Sequence, residues 1–375
     1  MKQILVPLDG SDLSETALPF AEALARSANA TVILMRGILT YPRRFRGAGE
    51  FNRKVRKEAT DYLEALVEQV QGRGVLGCSL VVEDEAGYAI LQAAAQQAPD
   101  LIIMSTHGRG ALGRAIWGSI ADRVLRSAPV PVLLVPRGVE AGWEDVETPT
   151  LVLPLDGSAH AEAAIDPATE LATALGARVI LVQSIDPLPL LAGPDAWVVY
   201  EAYGTQFAEQ KEAATKYLES VATRLHARGV ATTVLATDGA AASVIQNVAR
   251  ANHAHAVVMA THGRGGALRF LMGSTAEALV HSGSVPIVLV RPPAAGAQTT
   301  TPPPETHEVE RAQELSVTAE QTDLLEDALQ YWIRGNHSGE GLVAAFDLLA
   351  RIEALRRTAP SAAQSSDADA EAPAA

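Results

Sequence analysis

The chain of 375 residues is poor in several things that would have given it an easy classification. It has one cysteine, Cys78, so no internal disulfide can form. The apolar, strand-like text around Cys78 predicts a buried thiol in a reducing compartment. Basic residues are outnumbered, 30 Lys and Arg against 44 Asp and Glu, for a net charge of -14. A general nucleic-acid binder carries the opposite imbalance. No apolar run approaches the roughly 18 residues that a membrane helix needs. Met1-Lys-Gln runs straight into a strand with no leader, so a soluble, cytoplasmic protein is expected, without membrane or nucleic-acid partners. Motifs are missing too. Without G-x-x-x-x-G-K-[ST] the chain is not a P-loop ATPase. It has no G-x-S-x-G elbow and no Cys/His cluster of metal-ligand spacing.

What is present is a text written twice. Residues 104–119 read MSTHGRGALGRAIWGS, and residues 259–274 read MATHGRGGALRFLMGS. Nine residues separate Gly108 from Gly118, and nine separate Gly263 from Gly273. Ile4-Leu-Val-Pro-Leu-Asp-Gly-Ser near the start returns as Leu151-Val-Leu-Pro-Leu-Asp-Gly-Ser. Strand-like and helix-like segments alternate in the same order after each copy, and most strands are continuously apolar. That pattern predicts a parallel sheet covered on both faces, built twice. The expected units are residues 1–137 and 149–291, joined by a short polar linker at 138–147. In the first unit, helices are expected after Asp9, with Ser11 or Ser14 as N-cap, over 51–72 and 88–97. In the second, the long helix is expected over 209–228. Residues 292–317 read as a Pro/Thr-rich linker, 318–357 as a helical hairpin, and 358–375 as a disordered tail. A hairpin that small should dock on its own chain, on a dimer mate or on a protein partner.

The residues that carry chemistry fall at the ends of strands. Pro7 and Asp9, with Pro154 and Asp156, close the first strand of each repeat. In an open α/β sheet ligands bind outside the carboxyl ends of the strands, where strand order reverses. A carboxylate there can accept from a ribose hydroxyl or an adenine amino group; it can also simply cap a helix. Gly108, Arg109, Gly110, Gly118 and Ser119 answer to Gly263, Arg264, Gly265, Gly273 and Ser274. A glycine-bearing loop leading to a Gly-Ser helix start suits phosphates, because glycine permits close approach and the helix end favours negative charge. Gly108 to Gly113 also matches G-x-G-x-x-G, but it follows the fourth strand of its unit, and Leu268 breaks the pattern in the second copy. His107 and His262 stand in matching places, as loop-orienting groups or as an acid or base. The basic run from Arg36 to Lys57 reads as a solvated face, with a second anionic partner as the alternative.

These motifs resemble the universal stress proteins of the ATP-binding kind. The nine-residue spacing before Gly-Ser is similar to that family's nucleotide loop, and Pro-Leu-Asp-Gly-Ser to its opening. The closing runs Pro131-Val-Leu-Leu-Val and Pro286-Ile-Val-Leu-Val resemble its last strand. The resemblance implies two Rossmann-like domains of the adenine-nucleotide α-hydrolase type, each a five-stranded parallel sheet in the order 3-2-1-4-5. It implies that Asp9 and Asp156 contact adenosine, while Gly108, Gly118 and Ser119, with Gly263, Gly273 and Ser274, hold ribose and phosphates. It further implies pairing through the last strands, within the chain, between chains as a homodimer, or both. Two departures are visible: Ser105 and Ala260 replace the loop's first glycine, and Gly37 and Ser184 stand where a valine is common. The expected function is an ATP-binding stress regulator or sensor, with Mg²⁺ accompanying the triphosphate and any hydrolysis slow and incidental. Two rivals stay open: a phosphate-transferring or phosphate-cleaving enzyme using His107 or His262, and an adaptor working through the hairpin with nucleotide as a switch.

Overall fold

A computed structural model describes residues 1–42, 47–106, 118–139, 143, 146–185, 196–261 and 272–292. All of them fall within one compact unit, Met1–Ala297. The hairpin and tail expected at 318–375 lie outside the described residues.

The first repeat runs β1 (Gln3–Pro7), α1 (Asp12–Glu15), α2 (Leu18–Ala28), β2 (Thr31–Ile38), α3 (Ala48–Gly72), β3 (Leu76–Glu83), α4 (Ala86–Gln97), β4 (Leu101–Ser105), α5 (Ser119–Ser127) and β5 (Val132–Val135). The second repeats that order as β6 (Thr150–Pro154), α6 (Ala159–Glu162), α7 (Ile165–Leu175), β7 (Arg178–Ile185), α8 (Ala196–His226), β8 (Thr232–Asp238), α9 (Ala241–Ala251), β9 (Ala256–Ala260), α10 (Ser274–Ser282) and β10 (Ile287–Val290). The helix expected after Asp9 is therefore two: Ser11 caps a single turn, and α2 starts anew beyond Thr16 with a proline in its first turn. Asn29 and Gly176 end α2 and α7 in the left-handed conformation, the geometry in which a chain most readily leaves a helix. Helix α8 begins well before the expected residue 209.

Within each repeat the strands are parallel and follow the order 3-2-1-4-5. The two halves then join into a single ten-stranded sheet, β3-β2-β1-β4-β5-β10-β9-β6-β7-β8. The join is antiparallel, with Leu133 opposite Val288 and Val132 opposite Leu289. Pairing through the last strands thus occurs inside the chain. Because the join reverses direction, the carboxyl ends of the two sets of strands lie at opposite ends of the sheet.

The alternation of side chains in each strand feeds two apolar layers. Ile4, Val6, Val32 and Leu34 face α2 and α3, continuous with α7 and α8 of the second repeat. Leu5, Ile33, Met35 and Ile102 face α4 and α5, continuous with α9 and α10. Leu5, Ile102, Leu133 and Leu151 are fully buried, each contributing about 1.5–3 kcal/mol by removal from water. The edge strand β3 departs from this. Its exposed positions include Leu76 and Cys78, so the thiol expected to be buried is at the surface. An apolar run does not reveal whether a strand is central or at an edge; β3 has a neighbour on one side only, and helix α4 packs mainly over β2.

Candidate functional site

Each repeat brings the end of its first strand and the start of its last helix to the same place. Strand β1 lies between β2 and β4, and the connections leaving β1 and β4 pass to opposite faces of the sheet. That is the switch point at which such sheets hold ligands. Pro7 is buried at the end of β1, and Leu8 donates its N–H to the Met35 carbonyl at 2.8 Å. Leu155 repeats the hydrogen bond, donating to the Val182 carbonyl at 2.9 Å, while Pro154 is half-buried.

The chain then turns sharply at Gly10 and Gly157, where φ is +80° and +78°. Glycine adopts that left-handed conformation without the strain a Cβ would bring. The turn folds the next serine back onto the carboxylate. Asp9 Oδ1 accepts from Ser11 N–H at 2.9 Å and from Ser11 Oγ–H at 2.5 Å. Asp156 Oδ1 accepts from Ser158 N–H at 2.9 Å and Ser158 Oγ–H at 2.6 Å. Ser11 and Ser158 also cap α1 and α6, accepting from Ser14 N–H and Ala161 N–H, each at 3.2 Å. Both aspartates therefore point in a fixed direction at the carboxyl end of the sheet.

Opposite them stand the starts of α5 and α10. Gly118 N–H donates to Thr106 O at 3.2 Å, and Gly273 N–H to Thr261 O at 2.9 Å. No side chain among the described residues caps either helix, and Ser119 and Ser274 are exposed. The first-turn amides of such a helix have no partner within it and face outward with the positive end of the helix dipole. Gly118 sits at φ -66°, and a Cβ there would meet only Thr106 O at 3.8 Å, an ordinary contact. Among the described residues nothing requires glycine at this position.

The remaining expected residues are divided. Gly108, Arg109 and Gly110, with Gly263, Arg264 and Gly265, lie outside the described residues, as do His107 and His262. Gly37 lies against α4: a Cβ there would fall 3.0 Å from Ala89 Cβ and 3.1 Å from Ala86 Cα. Its counterpart Ser184 instead donates its hydroxyl to the Gly239 carbonyl. Several described members of the basic run are engaged within the chain. Arg56 pairs with Glu83, Lys57 with Asp61 at 2.6 Å, and Arg36 lies 5.2 Å over the Tyr62 ring.

Sequence reasoning missed four residues and their contacts: Tyr62, Tyr217, Arg123 and Trp143. Tyr62 from α3 donates to Glu15 on α1, and Tyr217 from α8 does the same to Glu162 on α6. Arg123 on α5 joins Glu85 at 2.7 Å and stacks 4.3 Å over Tyr88. Trp143, in the segment expected to be a polar linker, is buried. It packs edge-on against Phe20 at 5.3 Å and donates its indole N–H to the His255 carbonyl at 3.3 Å. Only the internal repeat offered a signal, for the two tyrosines, and only once the repeats are aligned.

Comparison with known proteins agrees with this architecture. Residues 1–136 and 148–291 each match the model of the universal stress protein family. A universal stress protein of Mycolicibacterium smegmatis is 27% identical over 301 residues, which cover 77% of this chain and 97% of that one. One from Mycobacterium tuberculosis is 29% identical over 195 residues, 51% of this chain, and the match spans 62% of the relative's length. The solved structure of a universal stress protein from Archaeoglobus fulgidus has the same fold, with a TM-score of 0.57 at 16% identity, covering 78% of this chain and 98% of that one. No helix among the described residues is long and apolar enough to cross a membrane. The chain belongs to the universal stress protein family.

Proposed function

We propose that the chain binds ATP at the switch point of each repeat and acts as a nucleotide-dependent regulator or sensor in the stress response. The observation that carries this reading is Gly118. A glycine whose backbone and described surroundings would accept a side chain stands at a helix start that no described side chain caps, across the switch point from an oriented aspartate. In this reading Asp9 and Asp156 accept from the adenosine part, while the amides and hydroxyls at Ser119 and Ser274 meet phosphate oxygens. Gly108, Arg109 and Gly110, with Gly263, Arg264 and Gly265, complete the two loops. Mg²⁺ arrives on the triphosphate, whose charge would otherwise be poorly neutralised at a protein of net charge -14. The reading includes no catalytic residue, and hydrolysis is slow and incidental.

Titration with ATP tests it. The wild-type chain should bind at two sites, with Asp9→Ala removing one and Asp156→Ala the other. Failure of the wild-type protein to bind any adenine nucleotide would remove ATP from the function.

A further inference from the structure

The aspartate elbow rests on a weak support. Helices α1 and α6 have four residues each, a single turn, and one turn does not persist by itself because nucleation costs more than one hydrogen bond returns. Something outside the turn must hold it. In both repeats the same group does so. Tyr62, midway along α3, donates its phenol O–H to Glu15 Oε1 at 2.7 Å. Tyr217, in the second half of α8, donates to Glu162 Oε1 at 3.1 Å. Both phenols are partly buried, and a hydrogen bond to an ionised acceptor is among the stronger kinds.

The surroundings of the two pairs are not alike. Arg36 lies over the Tyr62 ring, whereas Gln183 takes that place in β7 and Arg224 approaches Glu162 at 3.5 Å. Ser14 accepts from Asp9 N–H at 3.3 Å in the first repeat; its counterpart Ala161 has no hydroxyl to offer. The phenol–carboxylate pair persists while its neighbours change, so it serves what the two sites share. In the second repeat the pair also feels the elbow's charge: Asp156 helps to push the Tyr217 phenol above its ordinary pKa, after burial and Glu162.

We propose that Tyr62 and Tyr217 are positioning residues, each clamping the one-turn helix that aims its repeat's aspartate at the bound nucleotide. The inference rests on the nucleotide reading given above. Each clamp acts on its own site and leaves the other untouched, which a general contribution to stability could not do.

The experiment is ATP titration of the full chain carrying Tyr62→Phe or Tyr217→Phe. Each is measured alone and in the background that keeps a single site, Asp156→Ala for the first and Asp9→Ala for the second. Tyr62→Phe should weaken the first site about fivefold, the size of one net hydrogen bond, and leave the second unchanged. Tyr217→Phe should do the converse. Glu15→Leu should reproduce the Tyr62→Phe loss, and Glu15→Gln, which keeps an oxygen for the phenol, should restore affinity to within about twofold. Wild-type affinity in both phenylalanine variants would overturn the clamp and leave the nucleotide reading standing. Equal weakening of both sites by either variant would reduce the tyrosines to general stabilisers. Absence of ATP binding in the wild-type chain would overturn both readings together.

Discussion

The two repeats share a strand order, an aspartate elbow and a glycine at the helix start, but they are braced differently. In the first, Glu22 is buried on α2 and is reached by Arg73 at 2.9 Å. In the second, the matching position is Thr169, whose hydroxyl returns to the Ile165 carbonyl of its own helix at 2.7 Å. Arg228, the counterpart of Arg73, turns to the exposed Asp166 instead. The first repeat also has Glu85, Tyr88 and Arg123 linking α4 to α5, where the second has Ala240, Ser243 and Ala278. Trp143 adds an edge-on aromatic contact to Phe20 of the first repeat. Duplication kept what shapes the carboxyl ends of the strands and released what braces the flanks, so differences between the repeats mark where support can be exchanged without changing that shape.

Trp143→Ala should have the largest effect. It empties a buried aromatic position and removes an indole hydrogen bond, a loss of about 3 kcal/mol in urea denaturation. Because the ring packs on α2, ATP affinity should fall at the first site and hold at the second; equal loss at both would break the contrast. Next in size is the ion pair on α2. Arg73→Ala leaves the Glu22 carboxylate buried without its cation, at a cost of about 1–2 kcal/mol after allowing for the solvent around Arg73. Arg228→Ala breaks a surface pair worth about 0.5 kcal/mol or less, so the two substitutions compared in one denaturation series sharpen the difference between repeats.

The smallest effect concerns pH. Thr150 N–H donates to His255 Nδ1 at 3.0 Å, which requires an unprotonated nitrogen there. Burial, the largest cause, and the nearby charge of Arg178 hold His255 below its ordinary pKa. The unfolded chain therefore takes up the proton first as pH falls. The stability contributed by the neutral ring is complete above about pH 6.5 and declines below it. The wild type should lose about 1 kcal/mol or less more than His255→Asn between pH 7.5 and 5.5. Equal losses in the two proteins would remove His255 from the pH response.

Most of the fold was legible because its signals are local and repeated. Apolar runs of strand length, Pro-Leu-Asp-Gly-Ser, and nine-residue spacing before Gly-Ser each state their geometry within a few residues. The partner of the last strand was not legible: Val132–Val135 can pair with any copy of its kind, and the structure closes it onto Ile287–Val290 of the same chain. Cys78 was misjudged because an apolar neighbourhood says nothing of edge position. A lone tryptophan in a polar segment has no periodicity to betray burial, and Tyr62 meets a carboxylate 47 residues away. Contacts of that kind are decided by packing.

The antiparallel join of β5 and β10 changes how the assembly answers to dilution. Two separate chains that met through their last strands would part as their concentration fell, by mass action. Here both strands belong to one polypeptide, so each is held at a high effective concentration near the other and closure is a first-order event. The paired form should persist at concentrations where a bimolecular pair would have come apart, with a melting temperature that does not depend on how much protein is present.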